Sequence, residues 1–87
     1  MRAVISVIGK DRVGILAMVS TICAKANANV IEVTQSVLQE FFVMMMVVDI
    51  SNLNCELTDL RKDLEGNSMG MKIQVMHEDI FNSMHRV

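Results

Sequence analysis

The sequence predicts an α+β fold: a ferredoxin-like βαββαβ sandwich in which a four-stranded antiparallel sheet carries two helices on one face, with a short C-terminal helix at the end. Three observations lead there. Short runs rich in Val and Ile alternate with stretches whose apolar residues recur at helical spacing. These runs follow one another as strand, helix, strand, strand, helix, strand. A chain of 87 residues suffices for a single domain over residues 1–87 and no more.

The first strand is the β-branched run Ala3 to Ile8. From Val13 the pattern changes: Ile15, Met18, Val19, Ile22 and Ala26 fall on one side of a helix, with Ser20, Thr21 and Lys25 on the other. That helix should stop at Asn27, a residue that tolerates the left-handed conformation of a helix end. Asn29 to Leu38 and Phe41 to Ile50 read as two strands, joined through Gln39 and Glu40 in a tight hairpin, although neither is a favoured turn residue. The loop SNLN can open a second helix, with Asn52 or Asn54 as cap and Leu53, Leu57, Leu60 and Leu64 as its buried stripe, and Gly66 or Asn67 can close it. Met71 to Met76 is the fourth strand. Glu78 and Asp79 begin the final helix, whose apolar members are Ile80, Phe81 and Met84.

Composition narrows the function. The chain is 52% hydrophobic, yet its only aromatic residues are three Phe, and it has nine Met, so the core is aliphatic and thioether. A net charge of −2 and a missing aromatic platform argue against a nucleic-acid partner. No apolar run approaches the roughly 20 residues of a membrane-spanning helix, and the start lacks the pattern of a signal peptide. Cys23 and Cys55 show no C-x-x-C spacing. A reduced, cytoplasmic protein without membrane contact is the expectation. FFVMMMVVDI is apolar at odd and even positions alike, as is Ala3 to Ile8, so both faces of the sheet require cover. A homo-oligomer is expected, in the simplest case a dimer joined edge to edge or face to face, with the last helix covering part of the surface.

The turn GKDRVGIL, from Gly9 to Leu16, marks the candidate site. Gly9 and Gly14 fit the opening of a phosphate-binding loop, but the Lys and Ser or Thr that must follow are replaced by Ile15 and Leu16. The dinucleotide fingerprint fails as well, for want of a further glycine. A strand-to-helix turn remains, whose free N–H groups still attract a small anion.

GKDRVGILAMVSTICAKANANVIEV resembles the opening of an ACT domain, whose pattern runs G-x-D-R-x-G-I, a helix, then G-A-N-I at the second strand. The end, MKIQVMHEDIFNSMHRV, is similar to that of small stand-alone ACT-domain proteins. Comparable segments precede the catalytic part of formyltetrahydrofolate deformylases and occur in tandem in glycine-cleavage repressors. The resemblance spans nearly the whole chain. It implies the fold derived above, association through sheets or edges, and an amino acid or related small carboxylate bound at a subunit interface near the first loop. Two departures stand out: Asn27 replaces the Gly before Ala-Asn, and Val13 takes the place where relatives often carry Pro. No deformylase domain, second ACT unit or DNA-binding segment fits in this length, so another molecule is expected to read out what the domain senses.

The resemblance places ligand contacts at Asp11, Arg12, Val13, Gly14 and Ile15 of one subunit and at Asn29, Val30 and Ile31 of the same or the neighbouring chain. Each has a plainer alternative. Gly14 can leave room for a carboxylate, or merely weaken the helix by about 1 kcal/mol relative to Ala. Asp11 is as well explained as a helix cap, and Arg12 as a solvated charge. Asn29 can satisfy its own backbone in a turn. His77 and His85 on one helix would stand about 12 Å apart, too far to share an ion. Met44, Met45 and Met46 alternate between faces of a strand and fill core or interface. Cys23 reads as a small buried hydrophobe, and Cys55 has no neighbouring base. No catalytic set, metal site or cofactor is indicated.

Three functions are compatible with these residues. The first is a regulatory module that senses a small molecule. The second is an interaction module whose apolar sheet docks on a separate metabolic enzyme or regulator without a small ligand. The third, an enzyme acting on a folate or amino-acid derivative, lacks a placed acid, base or nucleophile.

Overall fold

Two strands that are apolar on both faces need helices over at least one of those faces, and the computed structural model, which describes residues 1–10, 13–68 and 70–84, places the elements accordingly. β1 (Arg2–Lys10), α1 (Ile15–Lys25), β2 (Asn29–Leu38), β3 (Phe41–Asp49), α2 (Leu57–Gly66), β4 (Lys72–His77) and α3 (Glu78–Met84) follow in the expected order. The strands make one antiparallel sheet in the order β2-β3-β1-β4.

Register decides which face is which. Ala3, Ile5 and Val7 stand opposite Val48, Met46 and Met44 of β3, while Ile5 and Val7 stand opposite Val75 and Ile73 of β4. All of these are buried. Ile15, Val19, Ile22 and Cys23 of α1 and Leu60 and Leu64 of α2 complete the same core, so both long helices lie on this face. The helical stripe and the strand alternation agree, and the ferredoxin-like βαββαβ architecture follows.

The opposite face carries Val4, Ser6 and Ile8 against Val47, Met45 and Val43. Val4 is 4% exposed, whereas Ile8 on the same strand and face is 45% exposed. α3 packs on β1 and β4, and its Glu78 pairs with Arg2, so it covers the Val4 end and leaves the Ile8 end open. The expectation that the last helix covers part of this face is met.

Local details correct some boundaries. β1 runs on through Gly9 to Lys10, so Gly9 belongs to a strand and not to the turn. A Cβ at Gly9 would come within 2.5 Å of the Met71 sulfur and 3.3 Å of the Met71 Cα, which makes it a glycine of close approach. α1 begins at Ile15, not Val13. The hairpin between β2 and β3 is as tight as predicted, with Gln39 at φ 57 taking the left-handed conformation that a two-residue loop requires. α2 is not capped by Asn52 or Asn54. Glu56 is its N-cap, and the Asp59 carboxylate accepts the Glu56 N–H at 3.3 Å.

Candidate functional site

The two ends of α1 are built differently. At its C-terminus Asn27 adopts φ 62, the Ala28 N–H donates to the Cys23 carbonyl at 2.8 Å, and the Asn27 N–H donates to the Ala24 carbonyl at 3.1 Å. This is a Schellman end. Asn54 adds a side-chain bond to the Lys25 carbonyl at 2.8 Å and a backbone bond to the Ala26 carbonyl at 3.1 Å. The Asn27 amide in turn donates to the Asn52 carbonyl at 2.8 Å.

At the N-terminus the cap is Gly14, at φ 89 and ψ 0, with no side-chain hydrogen bond and no acidic residue in the first turn. Its Cβ would meet nothing within 4 Å. Gly14 is therefore required by its backbone angle and not by crowding. The first helical N–H groups have no intrahelical acceptor. Val13 is 98% exposed, whereas the Ile15 side chain is 3% exposed and belongs to the core, so Ile15 can offer a ligand only its backbone. Asp11 and Arg12 lie outside the described residues.

Asn29, Val30 and Ile31 open β2, all exposed, with Val30 at 37% and Ile31 at 47%. A register shift between Val30 and Glu32 makes Ile31 the extra residue of a bulge. Asn29 and Val30 line a cleft of about 440 Å³ together with Ser20, Ala24, Asn27 and Ala28. Ser20, Ala24 and Asn27 were not singled out as ligand contacts from the sequence. Their spacing of four and three, all small or polar on one side of a helix, is the signal that could have revealed the cleft.

Within one chain the described parts of the two halves, Val13 to Ile15 and Asn29 to Ile31, lie toward opposite ends of α1. α1 begins beside Gly14 and ends before Asn27, and 11 helical residues span about 16 Å. β2, at the sheet edge, is exposed along all ten of its residues. Val33 is 37%, Val37 60% and Leu38 72% exposed, and no Pro or Lys blunts the strand.

Burial pushes the Cys23 thiol up to about 11, far from a reactive thiolate. Asp49, opposite Asn29 across the ladder, is held below the usual carboxylate range, chiefly by Ser51, whose backbone N–H donates to it at 2.9 Å, and less by the chain's amino terminus and Arg2. Among the described residues no cluster of His, Cys, Asp or Glu could hold a metal ion. No helix among them is long and apolar enough to cross a membrane.

A ferredoxin-like sandwich with glycine at the start of its first helix and a second strand paired on one side only is the class of fold that these elements define. The chain belongs to the ACT domain family, whose model matches residues 2–78. A UPF0237 protein of Methanocaldococcus jannaschii is 46% identical over 99% of this chain and 98% of its own length. The solved structure of an ACT domain protein from Streptococcus pneumoniae superposes with a TM-score of 0.78 at 39% identity, covering 98% of each chain. A formyltetrahydrofolate deformylase from Pseudomonas syringae shares the fold over 87% of this chain and 27% of its own, with a TM-score of 0.77 at 23% identity.

Proposed function

We propose that the protein is a homodimeric sensor of an amino acid or related small carboxylate, formed by antiparallel pairing of β2 with β2 of a second subunit. The observation that carries this reading is the polar cleft between α1 and the start of β2, open on the side of a bare sheet edge. A two-fold axis through the middle of β2 brings the Gly14 end of one α1 to the Asn27 end of the other. The cleft of each subunit is then closed by Val13, Gly14 and Ile15 of its neighbour, with Asp11 and Arg12 in the same loop.

The chemistry suits an amino acid. The unpaired N–H groups at the start of α1 take the carboxylate, without an acidic residue in the first turn to compete. Ser20, Asn27 and Asn29 offer a hydroxyl and two amides to the ammonium group or a polar side chain. Pairing β2 across the axis also satisfies its outward backbone groups and buries Val33 and Val37. Readout then falls to a separate enzyme or regulator that distinguishes the liganded dimer from the empty one.

The test is a thermal-unfolding screen against the amino acids and common metabolic carboxylates at millimolar concentration. A ligand at about 100 times its dissociation constant adds roughly 2.7 kcal/mol, a shift of several degrees in a domain of this size. The same ligand should lose its effect in Val33→Lys, which disrupts the edge and yields a monomer by light scattering. A ligand-induced shift that survives in that monomer overturns the shared site.

A further inference from the structure

The sheet has a second edge, and it differs from the first. β4 pairs with β1 alone among the described residues, so every second residue turns an unmatched N–H and C=O outward. Beside this edge lies a cleft of about 420 Å³. Val75 and Met76 both line it, although neighbours in a strand point to opposite faces. Only a cleft that runs along the strand's edge can touch both. Leu57 and Arg61, one turn apart on α2, form one wall, and Ile80 of α3 contributes to the other. Ile80 is 52% exposed, a large apolar side chain with no cover.

Shape restricts the occupant. β4 is six residues long and recessed between two helices, whereas β2 is ten residues long and bare. α2 and α3 both pack against β4, so this edge suits a single extended chain better than a second sheet. Charge restricts it further. Arg61 lines the cleft, and no carboxylate does. The Arg61 guanidinium has only a loose contact to Glu65, at 3.7 Å with both side chains about half exposed, so its fork of donors is available.

We propose that the β4 edge takes up an extended peptide segment of a partner protein as a fifth strand, with an apolar side chain against Met76 and Ile80 and an acidic one on the other face at Arg61. Main-chain bonds to β4 supply the attachment, and the cleft selects the sequence. None of these residues lines the cleft between α1 and β2, so this surface stands or falls independently of the sensor site.

The probe is a blocked hexapeptide of alternating valine and glutamate, titrated into the full-length, isotope-labelled protein and followed by NMR. Saturable shifts around Ile80, with slowed amide exchange on alternate residues of β4, are the expected result. Arg61→Glu should weaken that peptide at least tenfold and shift preference to the version carrying lysine in place of glutamate. Ile80→Arg, a surface change that fills the cleft, should abolish both. Protection on β2 instead of β4, an unchanged preference in Arg61→Glu, or no binding by the native protein would each overturn the proposal. So would hexanoate reproducing the peptide's shifts, because the cleft would then be a small-carboxylate pocket.

Discussion

The C-terminal end of α1 is tied down by five hydrogen bonds from three asparagine or alanine positions, whereas among the described residues no side chain caps its N-terminal end. A chain this short has little stability to spare. Hydrogen bonding is concentrated where α1 meets β2 and the loop before α2, and in the proposed function the N–H groups at the other end receive the ligand.

The largest expected effect comes from breaking the secured end. The pair of changes Asn27→Leu and Asn54→Leu removes both side-chain amides and puts a bulky residue at φ 62. Together they should cost about 3 kcal/mol, as two lost hydrogen bonds and one left-handed residue. Urea unfolding monitored by circular dichroism measures it. Asn27→Gly, which keeps the backbone angle and loses only the amide, should cost under about 1 kcal/mol. A similar cost for both variants would show that the left-handed angle is not what Asn27 supplies.

Cys23 provides a pH test of the same end, since its carbonyl accepts the Ala28 N–H and its thiol lies in the core. Burial raises the folded thiol to about 11 from an ordinary 9.0. The folded state therefore holds the proton more tightly than the unfolded one. The stability tied to the neutral thiol is fully present below pH 9 and is lost as pH rises toward 11, by about 2–3 kcal/mol at the upper end. The slope of unfolding free energy against pH over that interval should be shallower in Cys23→Ala. Equal slopes would mean the thiol is solvated in the folded protein.

These two regions also show what a sequence can and cannot reveal. The limits of β2, Asn29 to Leu38, and the left-handed Asn27 were legible because each follows from local chemistry: β-branched residues and an amide that tolerates positive φ. The role of Asn52 and Asn54 was not. A cap and a tertiary acceptor or donor look alike in sequence, and only folding brings Asn54 to Lys25, 29 residues away. Gly9 and Gly14 likewise carry the same letter for different reasons, one for the approach of Met71 and the other for φ 89. Where the candidate residues sit in the fold was legible in part. Gly14 and Asn29 were identified, but their placement at opposite ends of α1 depends on the handedness and length of the crossover. The β4 cleft is lined from three elements and leaves no local pattern at all.

At the open end, Gly14→Ala should destabilise the ligand-free protein by about 1–2 kcal/mol, through the left-handed angle alone, because a Cβ there meets nothing. The loss should be larger with ligand than without, because in the proposed dimer Gly14 closes the neighbouring cleft. Differential scanning fluorimetry in both states compares the two, and a larger loss in the presence of ligand would place a contact at this position.

The smallest effect is the most informative, because its sign changes with the ligand. Ala17 is exposed in the first turn of α1, where an acidic side chain complements the helix dipole. Ala17→Glu should stabilise the ligand-free protein by about 0.5 kcal/mol, a gain that added salt reduces. The same carboxylate competes with that of the ligand for the free N–H groups and repels it across a few ångströms. Ligand affinity should therefore fall while the empty protein melts later. Thermal midpoints with and without ligand, at low and high salt, test both halves at once. If the empty protein gains stability and the ligand binds as before, the carboxylate is received elsewhere, and the open terminus is simply an incomplete helix end.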